Sequence, residues 1–141
     1  MSKSRACSLT FIKYYVDNIK FERNINFDPS KKVRISYDID SNILNLDDTK
    51  AEVKLFVNIF KDVEEDNKPF EFELEITGVF AVENVNDKLL LEQNTIAILY
   101  PFARALISTY TANANVPPLI LPPINVIKYI ESKKNKSKEQ T

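Results

Sequence analysis

Nine consecutive residues, Val116-Pro117-Pro118-Leu119-Ile120-Leu121-Pro122-Pro123-Ile124, constrain this chain more than any other stretch. Each proline fixes φ and lacks an amide hydrogen, so the run is neither helix nor central strand. It carries no polar or charged side chain, which sets it apart from an ordinary solvent loop. Something must cover it, or it must cover something else. An apolar helical face from Ile98 leads into it, and a short amphipathic stretch ending at Ile130 follows. This arrangement points to assembly or to binding of apolar partners, and away from small-molecule chemistry.

Composition removes most alternatives. The chain has 141 residues, 44% hydrophobic and 28% charged, as expected of one globular domain with a core of its own. With no histidine, neither a Ser-His-Asp nor a Cys-His arrangement can be built, and common zinc sites lack ligands. A single glycine, Gly78, rules out phosphate-cradling loops. The chain is therefore read as no enzyme, with no catalytic residues, no metal and no cofactor. Net charge is −1, from 19 basic and 20 acidic residues, which gives no overall field to attract nucleic acid. No apolar run is long enough to span a bilayer, and Lys13 and Asp17 break up any signal-peptide core. The lone Cys7 fits a reducing compartment, so a cytoplasmic protein without membrane insertion is expected.

The hydropathy period then sets the architecture. Strict alternation over Val33–Asp40, a second alternating run over Ala51–Ile59 and a third from Phe70, interrupted at Gly78 and continued to Val82, predict strands, and Leu9–Glu22 is a longer, less regular one. A kink or bulge near Tyr14-Tyr15 would explain its mixed parity, and Gly78 reads as a bulge or bend. Ser41-Asn42 and Asn45–Asp48 read as turn chemistry. After Asn94, a plausible N-cap, Ile96, Leu99, Tyr100, Ala103, Leu106, Ile107 and Tyr110 form one face of a helix of about five turns. Pro101 lies within it, and Asn113-Ala114-Asn115 ends it. Asn125 caps a short helix holding Val126, Ile127, Tyr129 and Ile130. The predicted fold is α+β: a four-stranded antiparallel sheet, then a long and a short C-terminal helix packed to one side. One domain covers residues 1–141, with its core at about 8–132 and a flexible basic tail over 133–141.

Leu99-Tyr100-Pro101-Phe102-Ala103-Arg104, Val116-Pro117-Pro118-Leu119 and Pro122-Pro123-Ile124-Asn125 resemble, in that order, the signature of the SecB family of bacterial export chaperones. Leu9-Thr10-Phe11, Asn18-Ile19-Lys20-Phe21-Glu22 and Gly78-Val79-Phe80 agree with it, so the resemblance spans about residues 9–130. It implies a homotetramer, a dimer of dimers, that needs neither ATP nor metal. It also implies a holdase that binds unfolded polypeptides in apolar grooves and keeps precursors export-competent for the SecA motor. SecB-like chaperones dedicated to toxin-antitoxin systems share these motifs and form the alternative. Asn18 departs from the family's acidic residue, and Glu71 stands where an apolar residue is more usual.

The resemblance also allots roles. Val33, Ile35 and Tyr37, with Val126 and Ile130, are expected to contact clients, and Glu22 and Glu73 to dock SecA. Tyr100, Leu106 and Tyr110 are expected at the oligomer interface, although periodic apolar positions also suit the core. Arg104 suits a helix-surface or inter-subunit ion pair. Glu71, Glu73 and Glu75 also suit the polar side of an amphipathic strand.

Overall fold

The computed structural model describes residues 8–116, 119–122, 125 and 128–133. Strands β1 (Ser8–Arg23), β2 (Tyr37–Leu46), β3 (Lys50–Ile59) and β4 (Phe70–Glu83) form one antiparallel sheet. Their order is β1-β4-β3-β2. Consecutive strands β2 to β4 are joined by local turns, whereas β1 crosses to the far side and pairs along its length with β4. Helix α1 (Lys88–Asn113) crosses one face of the sheet, and a short helical stretch covers residues 128–133.

Alternation drives this layering. Ala51, Val53, Leu55, Val57 and Ile59 of β3, with Phe72, Leu74, Ile76 and Phe80 of β4, are buried beneath α1. Leu91, Ile96, Leu99, Tyr100, Ala103 and Ile107 of the helix meet them. Each fully buried Leu, Ile or Phe stabilises the fold by roughly 1.5–3 kcal/mol, so this two-layer core dominates stability. The opposite face carries Glu52, Lys54, Phe56 and Asn58 of β3 beside Glu71, Glu73, Glu75 and Thr77 of β4.

Several elements differ from the sequence expectation. The strand read at Val33–Asp40 starts only at Tyr37 and runs on through Ser41-Asn42 to Leu46. Tyr37 opposes Ile59, the last residue of β3, and Phe60 then takes φ 58, so residues 33–36 have no strand to pair with. Ser41 and Asn42 do have partners, Leu55 and Lys54. The turn lies further on, where Asp47 Oδ1 accepts from the amides of Thr49 and Lys50, both at 2.8 Å.

The helix is longer than expected, 26 residues, and its N-cap is Asp87 rather than Asn94. The Asp87 carboxylate accepts from the Leu90 amide at 3.1 Å. Leu89, Leu90 and Leu91 hide the start because three adjacent leucines show no period. α1 continues through Pro101 and ends at Asn113, with Asn115 at φ 63 turning the chain.

Gly78 marks neither bulge nor bend. It pairs in unbroken register with Val53, and the register shifts lie on β1, at Ile12 and Asp17, bracketing Tyr14-Tyr15. Asp17, pushed out by its bulge, accepts a short hydrogen bond from the Thr77 hydroxyl and lies 3.6 Å from Lys54 Nζ.

Of the run's five described residues, Val116, Leu119 and Leu121 are buried in the chain's own core, while Pro122 is exposed and Ile120 is 68% exposed. Side chains of α1 satisfy the backbone there: Tyr100 Oη donates to the Pro122 carbonyl at 2.9 Å and Arg104 Nε to the Leu121 carbonyl at 3.1 Å. Thr111 Oγ1 accepts from the Leu119 amide at 3.0 Å. Pairing these buried polar groups removes the desolvation cost that would otherwise expel a strandless, helixless segment from the core.

Candidate functional site

Two surfaces collect the residues singled out from sequence. The first is an open groove of about 580 Å³ at the start of β2. Val33, Ile35 and Tyr37 line it together with Lys32, Arg34, Ser36, Val63, Asn67 and Tyr129. The groove lies where residues 33–36, which belong to no strand, lead into β2, and there the Ser36 carbonyl accepts from the Phe60 amide at 2.8 Å. Ile35 is 41% exposed, and Val33 and Tyr37 are partly buried.

One end of this groove is held by the short helical stretch. Asn125 caps it, its side chain accepting from the Lys128 amide at 3.0 Å. Tyr129 stacks on Tyr37 with ring centroids 5.9 Å apart. Lys133 Nζ lies 2.6 Å from Asp38 Oδ1 and donates to the Ile39 carbonyl at 2.8 Å. Burial first, then the negative Asp38 beside it, raises the Tyr129 phenol above its usual range. The phenol therefore stays protonated and donates to Asp38 Oδ1 at 3.3 Å. The helical stretch includes Lys133.

Ile130 does not line the groove; at 5% exposure it anchors the helical stretch in the core below. Val126 lies outside the described residues. Tyr129, Val63, Lys32 and Arg34 were missed as groove residues. Tyr129, four residues after the Asn125 cap, carried a signal in its place on the amphipathic stretch, but the nearness of Val63 depends on the β3–β4 connection folding back.

The second surface is the end of the sheet's polar face. Glu22 and Glu73 line one shallow groove there, with Lys20, Glu71 and Lys61. In the ladder Glu22 stands opposite Glu71, and Lys20 opposite Glu73. Asn18 donates from Nδ2 to Glu73 Oε2 at 3.0 Å. The other two glutamates are compensated: Glu71 by Lys68 at 3.2 Å and Glu75 by Lys54 at 3.4 Å. Among the described residues, Glu22 and Glu73 have no salt-bridge partner within 4.0 Å, although Lys20 and Lys61 line the same groove.

The residues expected at an interface divide. Tyr100 is buried within its own subunit, and burial raises its phenol pKa although the Arg104 guanidinium works against the shift. Leu106 and Tyr110 are partly exposed and border an apolar hollow with Ile19 and Ala114. Tyr110 is braced edge-on by Phe72, centroids 5.1 Å apart, and tilted against Phe21 at 5.4 Å. Arg104 forms no ion pair among the described residues; it holds the Leu121 carbonyl. No helix among the described residues is long and apolar enough to cross a membrane, and no acidic or cysteine cluster there is placed to hold a metal ion.

A four-stranded antiparallel sheet with one long helix across a single face, and an open groove at the start of the edge strand β2, defines an α+β fold. The family model described as preprotein translocase subunit SecB matches residues 2–137, and the chain belongs to the SecB family of protein-export chaperones. An uncharacterized protein of Methanocaldococcus jannaschii is 41% identical over 85% of this chain and 81% of its own length. The protein-export protein SecB of Afipia carboxidovorans is 33% identical over 84% of this chain and 78% of its own length. Among solved structures, the SecB-like chaperone Rv1957 of Mycobacterium tuberculosis, in complex with an antitoxin peptide, superposes with a TM-score of 0.59. It is 15% identical and covers 82% of this chain and 90% of its own, a likeness of fold.

Proposed function

We propose that this protein is a cytoplasmic holdase: it binds unfolded, non-native polypeptides without ATP or metal and keeps precursors competent for SecA-dependent export. The observation that carries this reading is the groove wall formed by the exposed Ile35 and the half-buried Val33 and Tyr37 beside Tyr129. A contiguous apolar surface on a folded subunit is costly unless it meets a partner. An extended chain offers the alternating side chains such a wall accepts, whereas a folded protein keeps them inside.

The carboxylates Glu22 and Glu73, which form no ion pair among the described residues, support docking of the motor on the polar sheet face, through contacts that speed association and weaken with salt. Assembly into a homotetramer, a dimer of dimers, is supported by the hollow at Leu106 and Tyr110 and by the edge strand β1. That strand has one unpaired side and exposes Ile12, Tyr15 and Val16. Tyr100 acts within the subunit in this reading, positioning the proline-braced run.

Binding of an unfolded protein, followed by fluorescence anisotropy, tests the holdase reading. Val33→Ser with Ile35→Ser should weaken it about tenfold or more, because roughly 1.5–3 kcal/mol accompanies burial of each aliphatic side chain. Unchanged affinity would move the client site elsewhere. The second reading, a chaperone dedicated to one client such as an antitoxin, draws on the fold shared with the Mycobacterium tuberculosis protein. Capture of clients from cells separates the two: many unfolded precursors favour export, one small protein the dedicated role.

A further inference from the structure

We propose that the groove at Val33, Ile35 and Tyr37 selects extended segments in which carboxylates flank the apolar side chains. This rests on the client-binding reading above and names the class of client.

The two charged side chains that line the groove, Lys32 and Arg34, are both cationic. Both are exposed, and among the described residues neither has an ion-pair or hydrogen-bond partner for its side chain. The other charges nearby are engaged or set back. Lys31 Nζ is tied to the Asp66 carbonyl at 3.0 Å and to Asn67 Oδ1 at 2.8 Å. Asp38 is held by Lys133. Glu65 lies 3.8 Å from Lys68, and Asp62, Glu64 and Asp66 occupy the adjacent turn without lining the groove.

Position adds geometry to the charge. Lys32, Val33, Arg34 and Ile35 succeed one another and all line the groove, so its wall presents two cations beside its apolar side chains. A client chain lying extended along it would place its own alternate residues against that pattern. Aliphatic or aromatic side chains would meet Val33 and Ile35, and carboxylates would meet Lys32 and Arg34. The guanidinium fork of Arg34 suits a carboxylate in bidentate fashion, whereas a client lysine there would meet repulsion.

A labelled unfolded peptide of fixed apolar pattern, made with flanking glutamates, serines or lysines, tests this by anisotropy at low and moderate salt. The glutamate peptide should bind about threefold to tenfold tighter than the serine one, as two exposed ion pairs allow. The lysine peptide should bind weakest, and moderate salt should compress the series. In Lys32→Glu/Arg34→Glu the order should invert, and in the milder Lys32→Ser/Arg34→Gln it should vanish. Equal affinity for all three peptides, or preference for the lysine peptide, would overturn the proposal while leaving the groove as the client site. Failure of all three to bind would overturn the client-binding reading as well.

Discussion

Leu99 occupies the space that a side chain on Gly78 would need. A β-carbon there would lie 2.7 Å from Leu99 Cδ2 and 2.8 Å from Phe80 Cε1. Gly78 has an ordinary strand conformation, so it is required for room and not for φ. The helix can settle onto β4 only because that one position presents bare backbone.

Gly78→Ala should therefore destabilise the fold by overpacking, by about 1–3 kcal/mol. Gly78→Val should cost more. Chemical denaturation measures both, and an unchanged midpoint for the alanine variant would show that Leu99 can move aside freely.

Tyr100 and Arg104, one helical turn apart, hold the carbonyls of Pro122 and Leu121. Tyr100→Phe should cost about 0.5–1.5 kcal/mol, and Arg104→Met about 1.5–3 kcal/mol because its donor is charged. The Tyr100 pKa is raised in the folded protein from its ordinary 10.0. Folding therefore favours the protonated phenol, and this stability is present below pH 10.0 and lost as pH rises through the raised folded value. Thermal melts should show Tyr100→Phe losing less stability than wild type between neutral and alkaline pH. An identical decline in both would assign the alkaline sensitivity to other groups.

Glu73→Lys should weaken docking of SecA by converting a carboxylate of the acidic patch into a cation beside Lys20. Calorimetry at low and moderate salt should show the wild-type interaction weakening with salt and the variant weak at both. Replacing Glu75, already paired with Lys54, should matter less. Absence of wild-type binding at low salt would leave the dedicated chaperone as the better reading.

Leu106→Glu should break assembly while leaving the subunit folded, since Leu106 is only partly buried and borders the exposed hollow at Tyr110. Light scattering should report a tetramer for wild type and smaller species for the variant. A tetramer that survives the substitution would place the interface away from this helix face.

Much of the architecture was legible because its signals are local. Alternation over Ala51–Ile59 and Phe70–Val82 corresponds closely to β3 and β4, since a strand needs only its own period to sort its faces. The helical face from Ile96 to Tyr110 and the Asn125 cap follow from spacing in the same way. The groove residues Val33, Ile35 and Tyr37 were singled out by the family resemblance, whereas alternation alone placed them on one face of a strand that begins only at Tyr37.

What remained hidden depends on partners distant in sequence. That Val33 to Ser36 stay outside the ladder is decided by where β3 ends, at Ile59. That Glu71 and Glu75 are ion-paired, and Glu22 and Glu73 are not among the described residues, is decided by where Lys68 and Lys54 reach. That Gly78 is a seat for Leu99, and that Val116, Leu119 and Leu121 line the core, appears only once α1 lies across the sheet. Sequence by itself determined the strands, the helix and the alternation of their faces, because those follow from backbone period and side-chain polarity. Tertiary structure alone decided which apolar and which charged residues were left without partners, because compensation is a property of contacts and not of order along the chain.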